Sequence, residues 1–357
     1  MAIEHNRSSN SLPRVSVIVP CRNEARFIAR CLESIVANDY PRDKLEILVV
    51  DGMSDDQTWN IVGDIARERP EVKGLRNPRL ITPAALNLGI SHARGEIVFR
   101  IDAHARVARD YLRLCVEGLR KHEADNIGGA METLPAHDGL VAKAIAASMS
   151  HPFGVGNSNF RVGTEQVIAT DTVFGGCYRR EVFERIGLFN ERLMRTQDME
   201  FNQRLRKAGG RILLDPTIRC CYYASPDLKS FARHNFDDGM WAILPFAHSE
   251  VVPVRIRHLV PGAFTGAIIL SSILGIWLEP LRFLLVAMMG IYVAASLVSS
   301  IHIAWRKHDF RYACLLPLVL GIRHFAYGFG SLYAVMKLVC NRKFMSNALW
   351  RAKIKPA

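Results

Sequence analysis

The stretch VSVIVPCRNE, residues 15–24, decides the fold. Val15 to Pro20 is an apolar, β-branched run of the kind buried on both faces of a sheet. Cys21-Arg22-Asn23-Glu24 follows at once. Apolar residues then recur at helical spacing: Phe27, Ile28, Cys31, Leu32, Ile35 and Val36. The same order of strand, polar cluster and helix returns at LEILVVD, Leu45 to Asp51. There Ser54-Asp55-Asp56 is placed to cap a helix through Ile61, Val62 and Ile65. VKGL, Val72 to Leu75, is the predicted third strand. TPAALNLGISHARG is a helix opening on Pro83 and closing on Gly95. EIVFRID is the predicted fourth strand. Up to about Pro245 this alternation predicts an α/β domain with a mostly parallel sheet covered by helices.

Open parallel sheets bind ligands at the carboxyl ends of their strands. Three polar clusters occupy such ends: Pro20 to Glu24, Asp51 to Asp56, and Asp102-Ala103-His104 within FRIDAHARV. Acids gathered at one edge repel one another. A divalent ion, a base to hydrogen-bond, or both would account for them. Asp102 supplies a hard oxygen donor for Mg²⁺ or Mn²⁺ between phosphates, and His104 a softer nitrogen.

The chain has 357 residues, 46 Lys and Arg against 34 Asp and Glu, and a formal charge of +12. The excess favours anionic partners. Basic residues cluster beside apolar runs, so an anionic membrane surface explains them better than nucleic acid does, and nucleic acid is not expected as a partner. The N-terminus MAIEHNRSSN has no apolar core region and no apparent signal peptide. Eight cysteines without a Cys-x-x-Cys pair read as reduced thiols.

After Val254 the character changes. Residues 259–278 and 283–304 are uncharged runs of about twenty residues, bilayer-spanning length. Glu279-Pro280-Leu281-Arg282 breaks between them. Arg255 and Arg257 precede the first run; Arg306, Lys307 and Arg311 follow the second. The positive-inside rule then puts both outer ends, and the domain before them, in the cytoplasm at the inner membrane. Segment 314–340 is apolar but carries Arg323-His324 at its centre and basic residues Arg342, Lys343, Arg351, Lys353 and Lys355 after it. A charged pair in mid-bilayer is costly, so a re-entrant or interfacial segment is favoured over a third span. The expected organisation is a polar tail over 1–12, a globular domain over 13–245 and a membrane-anchoring region over 246–357.

PCRNE, VVDGMSDDQT and PAALNLGISHARGEIVFRIDAH together resemble the inverting family-2 glycosyltransferases over about Val15 to Pro216. That resemblance implies a GT-A-like, nucleotide-diphospho-sugar-binding domain. The Asp-Ala-His variant and the membrane hairpin are similar to bacterial enzymes that build succinoglycan-type repeat units on a polyprenyl carrier. By resemblance, Glu24 and Asp51 contact base and ribose, and Asp55 lies nearby; helix caps and turns are their bland alternatives. Pro20 and Asn87 join the substrate site. Arg22 serves phosphate or helix-end packing. Asp102 holds the ion on the diphosphate. His104, where the family has a second Asp, coordinates it or hydrogen-bonds a phosphate.

RTQDMEFNQRLRKAGGRILLD resembles the family's Glu-Asp motif with Gln197 in place of Glu. Asp198 then matches the general base for an acceptor hydroxyl, with Glu200 as the spare. Gly175-Gly176 lets backbone approach the acceptor, or forms a plain turn. Trp241 stacks on an acceptor sugar or sits at a membrane interface. The resemblance implies transfer from a nucleotide-diphosphate donor, UDP-glucose foremost, to a lipid-linked saccharide, alongside other polysaccharide-assembly proteins. A polyprenyl-phosphate glycosyltransferase and a non-catalytic membrane scaffold are the competing readings.

Overall fold

The computed structural model describes residues 12–156, 158–251 and 254–340. The tail expected over 1–12, apart from Leu12, and the basic residues after Cys340 lie outside them. In chain order the first elements are β1 (Val15–Cys21), α1 (Ile28–Val36), β2 (Leu45–Asp51), α2 (Thr58–Glu68), β3 (Val72–Arg76), α3 (Thr82–His92), β4 (Ile97–Arg100) and β5 (Ala105–Val107). Then come α4 (Tyr111–Lys121), β6 (Asn126–Leu134), α5 (Leu140–Ser148), α6 (Pro152–Val155), α7 (Asn159–Val162), β7 (Ile168–Ala169), β8 (Cys177–Arg179) and α8 (Arg180–Ile186). The rest is α9 (Gln197–Lys207), β9 (Ile212–Tyr223), α10 (Leu228–Ile243), α11 (Pro245–His248), α12 (Ile256–Leu274), α13 (Glu279–Lys307) and α14 (Arg311–Cys340).

Packing divides the described residues into two compact units. One compact unit comprises the described residues up to Gly128 together with Gly175–Leu188; the other holds Gly129–Phe174 and the described residues from Phe189 on. In the first unit the strand order is β3-β2-β1-β4-β8-β6. β1 runs parallel to both β2 and β4, and β2 parallel to β3. β8 inserts antiparallel between β4 and the start of β6. Every residue of β1 and β2 is buried, the polar Ser16, Glu46 and Asp51 along with the apolar ones. α1 buries Ile28, Cys31, Leu32 and Ile35, the face its periodicity predicted. Because β1 has β2 on one side and β4 on the other, the strand order reverses between β1 and β4. The crevice outside their carboxyl ends is the site such sheets use.

In the second unit β7 pairs antiparallel with β9. Its core joins Ala144 and Ile145 of α5, Phe231 of α10, Ile303 and Ala304 of α13, and Leu316 and Val319 of α14. Two helices ahead of residue 245, α5 and α10, are thus packed among the long apolar ones.

Helices α12, α13 and α14 are each long and apolar enough to cross a membrane. Large apolar side chains stay exposed along them, with Ile256 of α12 82%, Ile291 of α13 72% and Val339 of α14 61% exposed. Such faces match lipid rather than water. Segment 314–340 lies within the single helix α14. The fold supplies its Arg323 and His324 with partners. Arg323 donates to the Gly154 carbonyl and, through Nη1, to Asn235 Oδ1 at 2.9 Å. His324 Nε2 donates to the Phe153 carbonyl at 2.9 Å, and its Nδ1 meets the Tyr292 hydroxyl at 3.0 Å.

Candidate active site

The loops after β1 and β2 are laced together. Asn23 takes up the left-handed region, φ 57°, which its short polar side chain tolerates. Its Oδ1 accepts from Asp55 N at 3.0 Å, and its own N–H donates to Ser54 Oγ at 2.8 Å. Glu24 N–H donates to Thr58 Oγ1 at 2.7 Å, while the Glu24 carbonyl accepts from Phe27 and Ile28 and starts α1. Asp51 is fully buried. Its carboxylate accepts from Ser54 N–H and Oγ and from Arg76 Nη1. Arg76 in turn lies 4.5 Å over the Trp59 ring. Both Asp51 oxygens are therefore engaged in holding the turn, and a role toward a nucleotide would run through these partners.

Asp55 and Arg22 are exposed at this edge, and Pro20 is buried opposite Val50. The capping carboxylate is Asp56, which accepts from Thr58 N at 2.9 Å and Ala25 N at 3.2 Å. Burial works against its charge, but hydrogen bonds from Thr58 and Ala25 prevail and hold the carboxyl below its ordinary range. Asn87 is half-buried on α3.

At the end of β4, Arg100 Nε donates to Asp102 Oδ1 at 3.0 Å. Burial pushes the Asp102 carboxyl up, yet Arg100 and His104 outweigh it and hold the group below the usual carboxylate range. His104 Nδ1 lies 3.0 Å from Glu24 Oε1. The fold thus brings Glu24, Asp102 and His104 to the crevice between β1 and β4. The sequence reading missed Arg100. Its signal is the spacing in Arg100-Ile101-Asp102, which puts both side chains on one side of an extended strand.

Among the described residues no group of three or more His, Cys, Asp or Glu is disposed to hold a metal ion. Two donors suffice for an ion that substrate phosphates and water complete. A hard carboxylate beside an imidazole whose other nitrogen is held by a second carboxylate is a donor set that fits Mn²⁺ or Mg²⁺.

Gly175 and Gly176 belong to this edge too. Both have positive φ, 68° and 114°. A Cβ on Gly175 would come within 2.5 Å of the Arg100 carbonyl, and Gly176 O accepts from Arg100 N at 3.0 Å. Their glycine character serves the close approach of this turn to β4.

Asp198 is the second residue of α9 in the other unit and is half-buried. Gln197, just before it, is buried, and its Oε1 finds no hydrogen-bond partner among the described residues. Glu200, the spare base, is not available: it is 3% exposed, chelated by Arg204 at 2.9 and 3.0 Å, and accepts from Ser249 Oγ. Trp241 is packed against Leu193, Leu244 and Ala334, so its ring is a core element and not an open sugar platform. Arg255 and Arg257, expected to face lipid, are paired with Asp171 at 2.6 and 3.0 Å.

A mostly parallel sheet whose strand order reverses, with carboxylates at the crevice, is the arrangement in which open sheets of this kind bind ligands. Residues 16–187 match the family model described as Glycosyl transferase family 2. The chain is 28% identical to the Succinoglycan biosynthesis protein ExoA of Rhizobium meliloti, over 90% of this chain and 96% of that one. It is 26% identical to a Dolichyl N-acetyl-alpha-D-glucosaminyl phosphate 3-beta-D-2,3-diacetamido-2,3-dideoxy-beta-D-glucuronosyltransferase of Methanococcus voltae, covering 88% and 95%. Its fold is like that of a mannosyltransferase from Pyrobaculum calidifontis solved with GDP-Man and Mn²⁺, with TM-score 0.56, 23% identity, and 93% and 89% of the two chains covered.

Proposed function

We propose that this glycosyltransferase is inverting and metal-dependent. It moves a hexose from a UDP-linked donor, UDP-glucose foremost, to a hydroxyl of a polyprenyl-linked saccharide at the cytoplasmic face of the inner membrane, in exopolysaccharide biosynthesis. The observation that carries this reading is the grouping of Glu24, Asp102 and His104 at the sheet's switch point in a family 2 domain. The acceptor class is supported by two relatives, one named for succinoglycan biosynthesis and one for a dolichyl phosphate-linked sugar. Three long apolar helices suit an acceptor whose carrier lies in the bilayer.

In this reading Asp102 and His104 hold the divalent ion, which neutralises charge on the departing diphosphate when bound. Arg100 keeps Asp102 ionised, and Glu24 orients His104. Asp198 takes the proton of the acceptor hydroxyl as its oxygen attacks the anomeric carbon. The bond from that carbon to the diphosphate oxygen breaks in the same displacement, which inverts the centre.

The test is acceptor-dependent UDP release by the full chain in membranes that supply lipid-linked precursors, with and without Mn²⁺. Transfer that needs both the precursor and the ion, and that Asp102→Asn abolishes, is expected. Full transfer by Asp102→Asn, or UDP release indifferent to every lipid-linked acceptor, would overturn the reading.

A further inference from the structure

The second unit holds a cationic cluster that the proposed chemistry does not use. Arg195 Nη1 is 2.6 Å from Asp238 Oδ1, and its Nη2 is 3.6 Å from Asp237. His234 Nε2 is 3.4 Å from Asp238 Oδ2. These contacts occupy both acids. Two further guanidinium groups stand in the same electrostatic neighbourhood: His234 feels Arg195, Arg323 and Arg161 as well as Asp238.

Neither Arg161 nor Arg323 has a carboxylate within ion-pair distance among the described residues. Arg161 Nη1 donates to Thr133 Oγ1 at 3.2 Å, and its guanidinium sits 5.5 Å over the Tyr222 ring. Arg323 bonds only to neutral oxygens, those of Gly154 and Asn235. Asn235 is itself fully buried. Burial depresses the pKa of Arg161 despite the pull of Tyr222 and Asp238. Arg161 and Arg323 are half-buried, and guanidinium groups partly withdrawn from water without a counter-ion are favoured by an anion that joins them.

We propose that Arg161 and Arg323, flanked by Arg195 and His234, bind the phosphate or diphosphate head of a lipid-linked ligand. The forked donors of arginine match phosphate oxygens. The ligand is a lipid because Arg323 projects from α14, one of the three membrane-length helices, whose apolar faces lie exposed for a hydrocarbon tail. Close packing fixes the site. A Cβ on Gly239 of α10 would clash with the Tyr327 carbonyl, and one on Gly330 of α14 with the Phe236 carbonyl. The two helices that carry His234, Asp238 and Arg323 are thus held at contact distance. This inference deepens the proposed function and rests on its reading of the acceptor as lipid-linked.

The test uses the full chain in phosphatidylcholine nanodiscs, titrated with farnesyl diphosphate, farnesol, inorganic pyrophosphate and UDP while intrinsic tryptophan fluorescence is followed. Farnesyl diphosphate binds best. Arg161→Gln weakens it about ten- to a hundredfold, Arg161→Lys less. Asp238→Asn removes a competing anion and tightens it. Opposite signs in two charge variants exclude a general folding defect, and UDP affinity stays unchanged in both. Farnesol binding as tightly as the diphosphate, or Arg161→Gln keeping wild-type affinity, overturns the proposal. Pyrophosphate equalling farnesyl diphosphate overturns the lipid assignment in favour of a free anion. Phosphatidylglycerol discs that abolish farnesyl diphosphate binding overturn it in favour of bulk headgroups. Arg161-dependent binding without transfer to any acceptor removes the proposed function and leaves this site standing. Normal transfer with an unchanged acceptor KM in Arg161→Gln does the reverse.

Discussion

Glu24 Oε1 accepts from His104 Nδ1 at 3.0 Å, across 80 residues of chain. A carboxylate accepts, so Nδ1 is the donor; Nε2 can then meet an ion when the ring is neutral, or donate to a phosphate when the ring is protonated. Metal-binding imidazoles are oriented by such a second carboxylate. Glu24→Ala is therefore expected to weaken Mn²⁺ binding in the presence of UDP about ten- to a hundredfold. Electron paramagnetic resonance of free Mn²⁺ reads this without turnover. Glu24→Gln, whose amide oxygen can still accept, should fall between.

Asp198→Asn tests the base. Loss of about a hundred- to ten-thousandfold in transfer is expected, with UDP affinity unchanged by calorimetry. A variant that still transfers at the wild-type rate would remove Asp198 from the mechanism. Because Glu200 is locked onto Arg204 and Ser249, it offers no substitute.

Gly330→Ala should destabilise the chain by about 1–3 kcal/mol through overpacking, since its new methyl meets the Phe236 carbonyl. Gly290→Ala in α13 is the control. Nothing lies within 4 Å of its Cβ position, so a neutral or slightly stabilising effect is expected. Thermal unfolding in detergent compares the two.

Asp227 caps α10, its carboxylate accepting from Ser230 N at 2.8 Å. The Ser230 hydrogen bond draws the carboxyl below its ordinary range. A depressed folded pKa means that the cap contributes fully above the unfolded value, about 3.9, and fades as pH falls through the folded one. Asp227→Ala should cost about 1 kcal/mol near pH 7. The difference from wild type should vanish at the acid end of a pH series of unfolding midpoints. A pH-independent difference would contradict the capping role.

Much of the first unit is legible in the chain itself. β1, β2 and α1 follow from local runs and spacing, and Asp102 and His104 stand out because polar residues directly end an apolar strand. Residues whose state depends on distant partners were harder. Trp241 read as an exposed aromatic until Leu193 and Ala334 covered it. The partners of Arg323 and His324, namely Phe153, Gly154 and Asn235, lie far away in sequence, so no local pattern announces them.

By itself the order of residues determined the parallel sheet, the polar strand ends and the apolar lengths, since each depends on neighbours within a few positions of chain. Tertiary structure alone decided that Glu24 faces His104, that Asp51 is spent on Arg76 and Ser54, and that two arginines stand without carboxylates beside α14. Burial and pairing of charge are set by atoms brought together across tens to hundreds of residues, and no local pattern encodes those distances.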